Sequence, residues 1–185
     1  LCDTQLTGAL KPLKACTALQ HLSLNNNLLT GELKPLRRCT ALQLLSLHGN
    51  KLTGGLEPLH YCKALQRLSL SDNQLTGKLE PLKACTALQE LALSRNQQLL
   101  GGLEPLQSCT ALEAVELSDN QFTGGLGSLR GCTALKLLDF KYNRMAPTDE
   151  DKAHFENLCY EFLSSSFLQY SSEEGEGEGG SEEAI

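Results

Sequence analysis

The chain repeats one phrase at a fixed interval, and that interval leaves few folds open to it. "CTALQHLSLNNNLLTGEL", Cys16 to Leu33, returns 23 residues later as "CTALQLLSLHGNKLTGGL", Cys39 to Leu56. With the cysteine as ruler, the copies start at Cys16, Cys39, Cys62, Cys85, Cys109 and Cys132, spaced by 23, 23, 23, 24 and 23 residues. A constant period of this kind marks a stacked solenoid. One unit cannot bury its own leucines, but stacked units share a continuous core.

Within each period the pattern is L-x-x-L-x-L-x-x-N-x-L-T-G-x-L-x-P-L-x-x-C-x-A. "LQRLSLSDNQLTGKLEPL" carries it at Leu65, Leu68, Leu70, Asn73 and Leu75. The L-x-L alternation predicts a short strand with one face buried. Stacked strands lie about 4.8 Å apart and form a parallel sheet. The chain then leaves the strand at Asn27, Asn50, Asn73, Asn96, Asn120 and Asn143. Backbone groups would be orphaned there, and a ladder of buried amides satisfies them. The Gly after each "LT" is read as a permissive turn. Pro35, Pro58, Pro81 and Pro105 start the return segment, where a missing N–H costs little. Two copies depart from the rule. "NQQLLGGL" at Asn96–Leu103 holds one additional residue, expected as a bulge on the outer loop, and "GLGSL" at Gly125–Leu129 lacks the Pro.

These six copies resemble the leucine-rich-repeat family over residues 1–146, and "LTGxL" is similar to its plant-type subclass. That subclass continues "IP" where this chain has "LxPL". The resemblance implies an α/β repeat solenoid: a right-handed arc with a parallel concave β-sheet and a C-terminal helical cap. It also implies that the concave face is the partner surface. Residues 1–146 hold a partial first repeat and six repeats of 23–24 residues, 147–168 the cap, and 169–185 an acidic tail.

The eight cysteines admit three readings. Disulfides need converging Cβ vectors about 3.5–4.5 Å apart, whereas stacked equivalents run parallel. Zinc needs closely spaced Cys or His pairs, and no C-x-x-C occurs. The remaining reading is a column of six buried thiols acting as small hydrophobes. Such a column favours a reducing compartment, so a cytoplasmic location is expected. The absence of any N-x-S/T agrees with it.

The two ends differ from the body. Phe155, Leu158, Cys159, Phe162 and Leu163 recur at helical spacing, and Thr148 with Asp151 forms a capping-box pattern. A helix over 148–164 is therefore expected to cover the open core. Residues 147–185 carry 1 Lys+Arg against 11 Asp+Glu, a net of −10; residues 1–146 carry 15 against 11, a net of +4. The Glu/Gly tail is expected to be disordered and solubilising, with a tether to a basic partner as its sharper role. At the other end, "LCDTQLTGAL" opens inside a turn with Thr4 where Asn belongs, so further repeats are expected upstream.

The non-leucine positions of the strand and its exit fall into four columns. The first is His21, Leu44, Arg67, Glu90, Ala114, Leu137. The second is Ser23, Ser46, Ser69, Ala92, Glu116, Asp139. The third is Asn25, His48, Ser71, Ser94, Ser118, Lys141. The fourth is Asn26, Gly49, Asp72, Arg95, Asp119, Tyr142. Small central residues allow close approach, and the later turns gather Glu90, Glu116, Asp119 and Asp139. A protein partner with a basic patch fits that end. On the outer surface, Lys11, Lys14, Lys34, Arg37, Arg38 and Lys83 form a basic strip. An acidic membrane, the chain's own tail and plain solvation all stay open for it.

Overall acidity argues against nucleic acid, and no run reaches the ~18–20 apolar residues of a membrane span. The chain is read as a monomer without cofactor. No P-loop or nucleophile elbow occurs. His48, Ser71 and Asp72 can be combined into a triad on paper, but repeated serines make that cheap. The expected function is a non-enzymatic protein-interaction scaffold. The alternatives are the ligand-recognition ectodomain of a membrane receptor and a regulatory subunit of an enzyme.

Overall fold

In every repeat the first apolar residue of the alternating motif centres a three-residue strand: β2 His21–Ser23, β4 Leu44–Ser46, β6 Arg67–Ser69, β8 Glu90–Ala92, β10 Ala114–Glu116 and β12 Leu137–Asp139. The computed structural model describes residues 4–156 and 158. The six strands are parallel and stack in chain order into one sheet. His21, Leu44, Arg67, Glu90, Ala114 and Leu137 are in register across all six. The middle residue of each strand faces the core and is at most 8% exposed. This is the concave sheet of the solenoid.

The "LTG" segments are strands rather than the turns expected of them. They are β1 Thr7–Ala9, β3 Leu28–Glu32, β5 Lys51–Gly54, β7 Gln74–Gly77, β9 Gln98–Gly101, β11 Gln121–Gly124 and β13 Arg144–Met145. They build a second parallel sheet of seven strands, also in chain order. Stacking explains the difference. Once one turn lies on the next, any extended segment finds a partner at strand spacing. The glycines still serve their expected purpose: Gly8, Gly31, Gly54, Gly77, Gly101 and Gly124 have φ between 78° and 97°, a region that side chains rarely enter.

Return segments are short 3-10 helices, Lys11–Ala15, Lys34–Arg38, Glu57–Tyr61, Glu80–Ala84 and Glu104–Ser108, each with Pro in its first two positions. Where Pro is lost, the helix shrinks to Gly127–Leu129. Between the two sheets and these helices lies an almost pure leucine core, fully buried from Leu33 to Leu129 at most positions. Each such leucine contributes about 1.5–3 kcal/mol.

The Asn ladder is present and explains how each corner is held. Asn73 Nδ2 donates to the carbonyls of Leu70 (3.0 Å), Ser71 (3.2 Å) and, in the previous turn, Leu47 (3.0 Å). Its Oδ1 accepts the backbone N–H of Leu52 at 3.0 Å. Asn50, Asn96 and Asn143 make the same set. Thr4 stands in the corresponding place of the first turn and donates to Asn27 Oδ1 at 3.1 Å.

The additional residue of the fourth copy is Gln97, at the corner between the two sheets. Gln97 sits at φ 53°, and its N–H takes the Asp119 carbonyl at 3.2 Å. The strand register recovers at Gln98, which pairs with Thr76. One rung is lost as a result: Asn120 Oδ1 is buried without a hydrogen-bond partner.

Five cysteines, Cys39, Cys62, Cys85, Cys109 and Cys132, are buried and form no disulfide; Cys16 is exposed, against the expectation of six. No turn is stacked on its outer side among the described residues. Each buried thiol donates weakly to the turn before it, as Cys85 Sγ does to Leu59 O (3.4 Å) and Cys62 O (3.6 Å). Burial pushes the thiols up, Cys62 and Cys109 to about 11 and Cys85 to about 12.

Helix α1, Asp149–His154, closes the C-terminal end with the capping box read from Thr148 and Asp151. Phe155 is buried on the core and Leu158 packs against it. Cys159, Phe162, Leu163 and the acidic tail lie outside the described residues. Asp151 does more than cap. Its Oδ2 accepts from Leu126 N and Thr148 N, both at 3.0 Å, and its Oδ1 accepts from Arg130 Nη2 at 2.7 Å. Gly125 leaves room for this, since a Cβ there would lie 2.8 Å from Oδ2.

Candidate concave-face interaction site

Only the first two columns lie on the strands. Their register sets His21, Leu44, Arg67, Glu90, Ala114 and Leu137 in one line and Ser23, Ser46, Ser69, Ala92, Glu116 and Asp139 in another. Leu44 and Leu137 are half-buried rather than exposed.

The third and fourth columns follow the strand ends. In the fourth, Asn26, Gly49, Asp72, Arg95, Asp119 and Tyr142 all have φ between 52° and 66°. This left-handed step turns the chain out of the first sheet toward the buried Asn. Asn, Asp and Gly tolerate it best. Arg95 and Tyr142 bear a cost there. In the third column Ser94 is buried, so it is not a ready contact. Its Oγ accepts from Ser118 Oγ at 3.0 Å. Ser46 Oγ donates to Asn25 Oδ1 at 2.8 Å.

Several charges anticipated as contacts are paired with one another. Arg95 grips Asp72 with two bonds, Nε–Oδ1 at 2.6 Å and Nη2–Oδ2 at 3.0 Å. Arg67 Nε lies 3.3 Å from Glu90 Oε1. Both pairs are exposed, so each is worth ~0–1 kcal/mol; their weight is in how they distribute charge. The middle turns become neutral. Glu116, Asp119 and Asp139 form no ion pair among the described residues. Asp139 Oδ1 accepts the backbone N–H of Lys141 at 3.1 Å. Carboxylate excess thus sits on the last two turns of the face.

Asp72 engages Arg95 and not His48, so the triad of His48, Ser71 and Asp72 is not assembled. Ser71 Oγ is buried without a partner. Sequence reasoning missed a further line. Gln20, Gln43, Gln66 and Gln89 precede the strands, and the line continues as Glu113 and Lys136, which form an ion pair. The change from Gln to opposite charges in adjacent copies was the available signal. On the outer surface Arg37 stacks over Tyr61, 4.7 Å from the ring centroid. No helix among the described residues is long and apolar enough to cross a membrane.

Comparison with known proteins agrees with this architecture. A family model described as leucine rich repeats (2 copies) matches residues 63–108, and one described as leucine rich repeat matches residues 18–38. No curated protein matches. Among solved structures, the chain is similar to the Arabidopsis receptor kinase HAESA in complex with the peptide hormone IDA and the co-receptor SERK1. The identity is 27% and the TM-score 0.72, over 82% of this chain and 26% of that one. It is also similar to the ectodomain of the Arabidopsis thaliana receptor kinase SOBIR1, with 26% identity and TM-score 0.63 over 68% and 72%. Internalin C2 of Listeria monocytogenes gives 25% identity and TM-score 0.58 over 84% and 74%. The chain spans about a quarter of the length of the first plant receptors it matches. The matched segments fall where the chain forms coil turns, so residues 18–38 and 63–108 are leucine-rich repeats, set in a fold shared with receptor ectodomains.

Proposed function

We propose that this chain is a non-enzymatic recognition module that binds a protein partner through its concave face, with a basic patch of the partner against Glu116, Asp119 and Asp139. The supporting observation is the charge distribution on that face. Ion pairs neutralise the middle turns and leave three carboxylates together at the C-terminal end. Such complementarity orients a partner and speeds its encounter. The small residues Ser46, Ser69 and Ala92 in the second column permit close approach.

The test is capture of partners from the cells of origin, followed by titration with the purified partner. Glu116→Lys with Asp139→Lys should weaken binding at least about tenfold, and Lys83→Glu on the opposite side should not. Equal binding by both variants refutes the concave-face reading. Exchanging Arg67 and Glu90 is a poor test, because the exchange preserves their ion pair.

A second reading, the ligand-binding ectodomain of a receptor, is supported by the likeness to plant receptor kinases. It carries an extracellular location, whereas a column of buried cysteines that form no disulfide among the described residues is what supports the cytoplasm. Thiol titration of protein recovered from its source separates the two: oxidised column cysteines exclude the cytoplasmic reading.

A further inference from the structure

The outer surface of the first two turns holds an open groove of about 650 Å3. Lys11, Lys14 and Lys34 rim it, and Ala9, Gly31 and Pro35 line it. Arg37 and Arg38 follow on the same 3-10 helix as Lys34. Glu32 pairs with Lys34 at 2.8 Å, and Glu57 adds a weaker attraction to the same lysine. Lys11, Lys14 and Arg38 form no ion pair among the described residues. In later copies the position of Lys11 and Lys34 becomes Glu57, Glu80 and Glu104, so the basic character is concentrated at this end, with Lys83 carrying it further. An apolar-floored groove with a cationic rim suits an extended, acidic, small-residue peptide.

The chain contains such a peptide. Residues 173–183 read "EEGEGEGGSEE", with glutamates at 173, 174, 176, 178, 182 and 183 and no basic residue. Glycine between glutamates lets the backbone come close to the groove floor. The reach is sufficient. From the turn that α1 covers to the first turn is five strand spacings, about 24 Å. Residues 159–172 span up to about 46 Å when extended. A tether of this length sets an effective concentration of order mM, so a weak intrinsic affinity fills the site.

We propose that the Lys11/Lys14/Lys34 groove binds the Glu-rich segment 173–183 of the same chain. This contact neutralises the basic end of the solenoid. It keeps other polyanions off that surface until one of higher charge displaces the segment. It is independent of what the concave face binds.

The experiment is 15N NMR on the full chain at about 20 mM salt, where Debye screening is weak. The glycine amides at 175, 177, 179 and 180 are compared between the wild type and the variant Lys11→Glu/Lys14→Glu/Lys34→Glu. The expected result is a clear shift difference that vanishes at about 0.5 M salt. The reciprocal variant, with all six glutamates changed to Gln, leaves the folded body untouched and should move the backbone amides of Lys11, Lys14 and Lys34. Shifts independent of protein concentration are expected for a contact within one chain. Superimposable segment resonances in wild type and reversal variant at low salt overturn the proposal. Shifts that grow with protein concentration overturn it too, by assigning the contact to a second copy.

Discussion

Deleting Gln97 should stabilise the protein. In the intact chain Gln97 occupies the left-handed region at φ 53°, at a cost of about 1 kcal/mol for a non-glycine residue. It also breaks one rung of the Asn ladder, leaving Asn120 Oδ1 buried and without a donor. A buried acceptor in that state costs about 1–3 kcal/mol. Removal restores the 23-residue period, so Asn96 is followed directly by Gln98 and Leu99, as Asn73 is by Gln74 and Leu75. Leu99 N–H then points where Leu52 and Leu75 N–H meet Oδ1 of Asn73 and Asn96. One exposed bond is lost, from Gln121 Nε2 to the Gln97 carbonyl. The net gain is about 1–3 kcal/mol, which raises the urea midpoint by roughly 1 M at a typical slope. A companion comparison isolates the rung. Asn73→Ala removes an accepted bond as well as three donated ones, whereas Asn120→Ala removes only the donated ones. Asn73→Ala should therefore cost about 1 kcal/mol more. In the Gln97-deleted background the two costs should converge, a coupling that a double-mutant cycle measures. An unchanged or lower midpoint for the deletion, with circular dichroism intact, refutes the ladder account.

Asp151 predicts acid behaviour. Desolvation alone would raise its carboxyl, but hydrogen bonds from Leu126 N, Arg130 and Thr148 outweigh that and lower it from 3.8 to about 2. A depressed folded pKa gives stability that is fully present above about 4 and is lost as pH falls through about 2, roughly 2–3 kcal/mol in all. Urea midpoints between pH 5 and pH 2 should fall more steeply in wild type than in Asp151→Asn; parallel profiles would contradict this. The thiol column predicts selective labelling. At pH 8 iodoacetamide should modify Cys16 in the folded protein and spare Cys39, Cys62, Cys85, Cys109 and Cys132 until urea opens the coil. Modification of Cys85 at the rate of Cys16 would show that the column is not closed.

Fold class was legible because one period governs the whole solenoid. L-x-L alternation, the Asn corner and the return Pro each reported a local requirement, and stacking made those requirements agree. The second sheet was not legible in one copy. "LTG" is a poor strand signal with its glycine, and only pairing to the turns before and after makes it extended. The exposure of Cys16 also depended on neighbours, since the sequence around it matches that of the buried Cys39. Charge pairing was hidden for the same reason. Arg95 and Asp72 are 23 residues apart in sequence and one strand spacing apart in space. The position of the acidic end was readable, but its composition was not: Glu90 drops out to Arg67, while Glu116, Asp119 and Asp139 remain.

The same geometry separates what holds the coil from what the proposed partner would meet. Inward positions repeat a single answer: the strand centres are Leu22, Leu45, Leu68, Leu91, Val115 and Leu138. The adjacent outward column holds His, Leu, Arg, Glu, Ala and Leu in register, five chemistries on six identical backbones. A change in that column touches only the turn before and the turn after, because contacts in a stack are between nearest neighbours. The outward chemistry can therefore vary turn by turn without a penalty to the core. The ladders behave in the opposite way. Each Asn amide bonds both its own turn and the one before, so an irregularity such as Gln97 is felt one turn later, at Asn120. It lies at the corner after Asn96, outside the outward columns, and leaves their register unbroken.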